Sequence, residues 1–170
     1  MKWSQLKKRI EANFADSVAG RVEVWTTRYR ESQEAEGEAW ITIDKQRVYS
    51  MGTYTYLVEA YHEATRLREE AGCTEDPHRD PGYSGAYIEG LHLAEEKGLF
   101  PLWDFNRALF DSLSLSIDDA IKSDSPIIRA FATLDRRFGK RRLRAFDDSD
   151  EHSLVQTLYR FRCDAEGMGK

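Results

Sequence analysis

Two glutamate–histidine pairs at helical spacing are the residues best placed to do chemistry. Glu59 and His62, and again Glu89 and His92, stand three positions apart. On a helix that spacing brings both side chains to one face, and di-iron carboxylate bundles use two such pairs plus two further glutamates. The elements that must position them point elsewhere. A helix is predicted over 57–72, with Gly72 as its stop and Leu57, Ala60, Tyr61, Ala64 and Leu67 as its apolar stripe. At about 100° per residue that stripe lies opposite Glu59 and His62. In the next helix, predicted over 86–97, Tyr87, Leu91 and Ala94 mark the buried side and turn Glu89 and His92 toward water. Bundle ligands must face inward, so no metal and no cofactor is expected. The run His62-Glu63-Ala64-Thr65-Arg66 also has arginine where a zinc-binding HExxH helix needs its second histidine.

Residues 73–85 hold two prolines and two glycines and are read as a loop. His78, Arg79, Asp80 and Tyr83 place an imidazole, a guanidinium, a carboxylate and a phenol on it. Convergence of those groups would support acid–base chemistry, and an enzyme of unknown class using this loop is one alternative reading. The spacing does not require convergence, and Asp80-Pro81-Gly82 is a ready-made turn. No residue is therefore assigned a catalytic role. The sequence has no nucleophile elbow, phosphate-binding glycine loop or dinucleotide fingerprint.

Two other features look like contact surfaces. Residues 135–144 carry Arg136, Arg137, Lys140, Arg141, Arg142 and Arg144 against Asp135 alone, a local charge of +5. Such a cluster attracts phosphate backbones or acidic protein surfaces. Asp147, Asp148, Asp150 and Glu151 follow closely and predict an internal charge network that would absorb part of it. Arg129 and Arg136 fall on the outer side of the preceding helix, away from Leu134 and Phe138. The second feature is aromatic. Trp25, Thr27 and Tyr29 share one face of the first strand, with Val22, Val24 and Thr26 on the other. With Trp40 and Tyr49 on neighbouring strands and Arg28, Arg30 and Arg47 beside them, an open sheet face would have an interface composition. The competing expectation is that the N-terminal helix covers it.

The elements behind these features define an α+β protein. A helix is predicted over 4–15, with Ser4 as N-cap and Leu6, Ile10 and Phe14 on one face. Strands over 21–30, 39–43 and 47–56 form an antiparallel meander. Helices follow over 102–113, over 117–122 behind Ser116, over 126–137 behind Ser125 with Pro126 at its start, and over 150–166. In the last of these Arg162 lies at the edge of the stripe formed by Leu154, Val155, Leu158 and Phe161, where it needs a carboxylate. Asp135 is the expected partner. The chain of 170 residues, 41% apolar with a net charge of −5, is expected to fold as one domain. Residues 1–56 supply helix and sheet, and 57–170 the helical part. Charges interrupt every apolar run, and Cys73 and Cys163 lie far apart. A cytosolic protein without membrane attachment is expected.

The runs MKWSQLKKRIEANFADSVAGRVEVWTTRYR, GEAWITID and SPIIRAFATLDRRFGKRRL resemble a family of short bacterial proteins. Its members share an opening helix, a GRV strand, an AWIT strand and a late LDRR-GKR-L segment. The resemblance covers nearly the whole chain and implies a single bacterial, cytosolic domain. It carries no assigned activity and no catalytic residue. The function expected is a non-enzymatic interaction module, an immunity- or antitoxin-like partner or an accessory subunit, binding another protein. Arg129, Arg136, Arg137, Lys140, Arg141, Arg142 and Arg144, with Trp25, Tyr29 and Trp40, are its expected contacts. Nucleic-acid binding through 136–144 is a further alternative, disfavoured by the overall acidity.

Overall fold

Alternating apolar and polar residues build a three-stranded antiparallel sheet in the order β1–β2–β3, from Val22–Arg28, Gly37–Ile43 and Gln46–Gly52. Val22, Val24, Ala39 and Ile41 occupy its buried side. The strands β2 and β3 are joined at Asp44 and Lys45, both with positive φ, the backbone that a two-residue hairpin turn requires. A helix, α1 (Trp3–Glu11), precedes the sheet. Among the described residues seven follow it: α2 (Thr53–Ala71), α3 (Pro81–Glu96), α4 (Leu102–Ser112), α5 (Ile117–Ala120), α6 (Pro126–Leu134), α7 (Lys140–Ala145) and α8 (Ser153–Ala165). The fold is α+β. The coordinates are a computed structural model that describes residues 1–28, 37–73 and 81–169.

The chain divides into two compact units, one of Met1–Thr26, Ala39–Ser50 and Asp104–Lys170, the other of Thr27–Glu38 and Met51–Trp103. The core of the larger unit centres on α6, where every residue from Ile127 to Leu134 except Arg129 is buried. Phe131 packs against Phe14 and Phe105, each with ring centroids 6.1 Å apart. Burying a side chain of this size stabilises by roughly 1.5–3 kcal/mol. α8 lies against α6 with Leu154, Val155 and Leu158 buried. In the smaller unit α2 and α3 form a helical hairpin around Tyr56, Ala60 and Ala94. Gly72 ends α2 in the left-handed conformation at φ 64°, donating its N–H back to the Arg68 and Glu69 carbonyls.

Several boundaries differ from the sequence expectation, among them the end of α1 at Glu11 and the start of α8 at Ser153. Helix α1 starts at Trp3 behind Lys2, not at Ser4. The third strand stops at Gly52, and the β-prone run Thr53 to Tyr56 is the first turn of α2. There Thr53 and Tyr56 are buried with Ala60 at helical spacing, and the Thr53 hydroxyl accepts from the Leu102 N–H at 3.1 Å. The expected loop over 73–85 is helical from Pro81 onward, since proline suits a first helical turn. Helix α6 ends at Leu134 because Asp135 turns extended and pairs with Phe14 as an isolated antiparallel bridge. The short α7 was not expected. Among the described residues no helix is long and apolar enough to cross a membrane.

Candidate functional site

The glutamate–histidine pairs are separated by the hairpin itself. His62, Glu89 and His92 are exposed, whereas Glu59 receives the Lys97 ammonium at 2.6 Å. Lys97 also binds Glu63, and the Arg66 guanidinium reaches Glu63 and Glu70. Lys97, and then Arg66, hold the Glu63 carboxyl below its usual range. Glu59 thus lies at the surface, paired with Lys97 just beyond the end of α3. No group of three or more His, Cys, Asp or Glu that could hold a metal occurs among the described residues.

The basic segment is largely answered by acids, but mostly not those next to it in sequence. Arg137 forks onto Asp135 and Arg142 onto Asp118, each at 2.8 Å. Lys140 meets Glu166 at 3.0 Å. Arg129 binds Glu151 at 3.0 Å and donates to the Ser123 and Asp124 carbonyls. Asp148 is taken by Arg160 instead. Arg136, Arg141 and Arg144 are exposed and make no ion pair among the described residues. Arg162, 3% exposed, pairs with Glu166 at 2.8 Å and not with Asp135, which Arg137 occupies. Its Nε and Nη1 have no hydrogen-bond partner among the described residues, and burial lowers its pKa.

The tryptophan face is partly covered by its own neighbours, and Trp25 stays 39% exposed. Trp25 and Trp40 stack at 6.4 Å and 13°. Lys7 from α1 sits 3.5 Å above Trp25, and Arg47 lies 4.4 Å from the Trp40 ring. Glu11, also on α1, accepts the Val24 N–H at 3.1 Å. Both indoles are therefore engaged within the larger unit. Tyr29 lies outside the described residues, as do His78, Arg79 and Asp80 of the alternative loop site.

What sequence reasoning missed is the flank of the α2–α3 hairpin. The seam between these helices is built from Ala60 and Ala64 against Gly90 and Ala94. A Cβ on Gly90 would stand 2.4 Å from the Ala60 carbonyl oxygen. Helices this close leave no room for tyrosine at the seam, so Tyr61 and Tyr87, expected in the core, are displaced to its side. Tyr61 is 58% exposed, Ile88 56% and Tyr87 39%. With Tyr83, Ser84 and Arg68 they line an open groove of about 420 Å³. The Arg68 guanidinium lies 3.5 Å from the Tyr83 ring centroid and donates to the Tyr83 carbonyl, fixing the groove's end. Tyr54, 67% exposed, continues the line seven residues before Tyr61. The acids Glu59, Glu63 and Glu70 lie on the opposite flank of α2. Small residues four apart on both helices, Ala60 with Ala64 and Gly90 with Ala94, were the signal available in the sequence.

A second cavity, of about 260 Å³, is lined by Asp148, Tyr159, Arg160, Cys163, Asp164 and Met168. Burial pushes the Cys163 thiol up, away from thiolate chemistry at neutral pH. Burial likewise pushes Tyr159 up to about 12, and its hydroxyl donates to the Leu143 carbonyl at 2.8 Å.

Fold and surface together define an α+β protein with an open apolar groove along one helical hairpin. The chain belongs to the SF0329 protein family, whose model matches residues 2–163 and so takes in nearly all of both units. No curated protein and no solved structure matches it.

Proposed function

We propose that the chain is a non-enzymatic protein-interaction module, an accessory or immunity-type subunit, and that a helix of its partner protein docks on the aromatic flank of α2 and α3. The observation that carries this reading is the groove lined by Tyr83 and by Tyr61, Tyr87 and Ile88, the last three standing exposed beside the helix seam. Tyrosine offers large contact area at low entropic cost and is enriched at binding hot spots. Both helices carry an apolar arc wider than their mutual seam needs, and a third amphipathic helix is the element that fills such an arc.

Position-specific photo-crosslinking in cells of the source organism tests this. A benzophenone side chain introduced at Ile88 or Tyr61 should yield one discrete protein adduct. The same group at Arg141 or Val48 should yield none. An adduct confined to Arg141, or no adduct at any position, overturns the reading.

A further inference from the structure

The two units divide the charge of the chain unequally. The smaller carries fourteen acidic against six basic side chains, a formal −8, and the larger nineteen basic against sixteen acidic, a formal +3. The imbalance persists on the hairpin, where α2 and α3 carry seven glutamates against Arg66 and Arg68. Glu69, Glu89 and Glu96 are exposed and make no ion pair among the described residues. Both cations are committed, Arg66 to Glu63 and Glu70, and Arg68 to Tyr83.

We infer that the helix received by this groove is basic: an amphipathic segment with aliphatic or aromatic anchors at i, i+3, i+4 and i+7 and lysine or arginine on its flanks. The inference rests on the docking reading above and adds the chemistry of the partner. An apolar groove selects for anchors and says nothing about charge, whereas the net field of the unit does. A cationic helix approaches with the net field of the unit. An anionic one is repelled on approach and finds no uncommitted cation on α2 or α3 to repay it. The second cavity, around Cys163, and the three unpaired arginines were weaker candidates. The thiol is held protonated, and nothing places Arg136, Arg141 and Arg144 around a common ligand.

Two synthetic helical peptides with identical leucine anchors, one with lysine and one with glutamate at the outer positions, distinguish the outcomes. Anisotropy of the labelled peptides titrated with the full chain should show the lysine peptide binding at least about tenfold more tightly at low salt, the gap narrowing as salt is raised. A Tyr61→Ser, Tyr87→Ser double variant should lose that binding while its thermal melt stays close to the parent. Equal binding of both peptides, or preference for the glutamate peptide, overturns the basic partner and leaves the docking site standing. No binding of either, or binding unchanged in the double variant, removes the site as well. Sedimentation as a dimer that the double variant dissolves would make the occupant a second copy and also overturn the inference.

Discussion

Around α7 most charges find an answer within the chain, whereas along the α2–α3 hairpin the apolar flank finds none among the described residues. Asp118, Asp135, Glu151 and Glu166 come from four different places in the larger unit to meet Arg142, Arg137, Arg129 and Lys140. These pairs tie α5, α6, α7 and α8 to one another. Among the described residues Tyr61, Tyr87 and Ile88 meet no such complement. A dense cluster of one side-chain type is thus a poor guide to an open surface. What decides is whether the rest of the fold returns the complementary group.

The sharpest way to break the first half of this comparison is at Glu166. It accepts Ser17 at 2.7 Å, Lys140 and the buried Arg162. Glu166→Ala should cost about 3 kcal/mol or more in urea unfolding, because it leaves a buried guanidinium uncompensated. Adding Arg162→Met should recover much of the loss, since an apolar pair of similar size is often as stable as a buried ion pair. The same carboxylate sets a pH signature. The Ser17 hydroxyl first, then Lys140 and Arg162, hold its pKa below the ordinary 4.5. A depressed carboxyl contributes stability that is fully present above the unfolded value and is lost as pH falls through the folded one. The acid limb of the stability curve below about pH 4.5 should therefore be shallower in Glu166→Gln. An unchanged limb would mean that the network stores no stability in that charge.

Next in size is the hairpin seam. Gly90→Ala places a methyl group against the Ala60 carbonyl, and overpacking of this kind costs about 1–3 kcal/mol. The effect should be local to the smaller unit. Amide hydrogen exchange should quicken in α2 and α3 while α6 and α8 keep their protection. Uniform acceleration would show that the two units open together.

These two sites also mark how far the sequence could be read. The α+β class, the three antiparallel strands and most helices follow from period and caps. Ser116 and Ser125 cap α5 and α6 where their spacing indicated. The boundary at Gly52 was not legible because tertiary burial of Thr53 and Tyr56 overrides the β propensity of their neighbours. The charge pairing was not legible either. Proximity in sequence favoured Asp147, Asp148, Asp150 and Glu151; Glu151 does meet Arg129, but Asp148 goes to Arg160. Helix packing delivers Asp118 and Glu166 from outside that run. Period also misplaced Tyr61 and Tyr87, for it shows which residues share a face and not how closely two faces approach.

A smaller effect is expected at the rim of the basic segment. Arg142 and Asp118 are both well exposed, and such pairs are worth about 0–1 kcal/mol. Arg142→Ala should shift the urea midpoint only slightly, and Arg141→Ala, which breaks no pair, should leave it unmoved. If Arg141→Ala instead weakened binding to the partner captured at Ile88, the contact surface would extend onto α7, and the contrast between the two regions would narrow.

The smallest effect on stability belongs to the residues given the largest role. Tyr61 and Ile88 are more than half exposed, so truncating them returns little buried area to water and should change unfolding free energy by no more than about 0.5 kcal/mol. A side chain kept for packing cannot behave this way, because its removal must show in the melt. A side chain kept for docking costs the isolated chain nothing and the complex a great deal, up to 2 kcal/mol or more at a hot spot, by about this scale. Comparing the urea midpoint of Tyr61→Ser with its photo-crosslinking yield at position 88 separates the two roles in one protein. An unshifted midpoint with a lost adduct places Tyr61 in the interface. A shifted midpoint with the adduct retained returns it to the hairpin core, where its spacing had first put it.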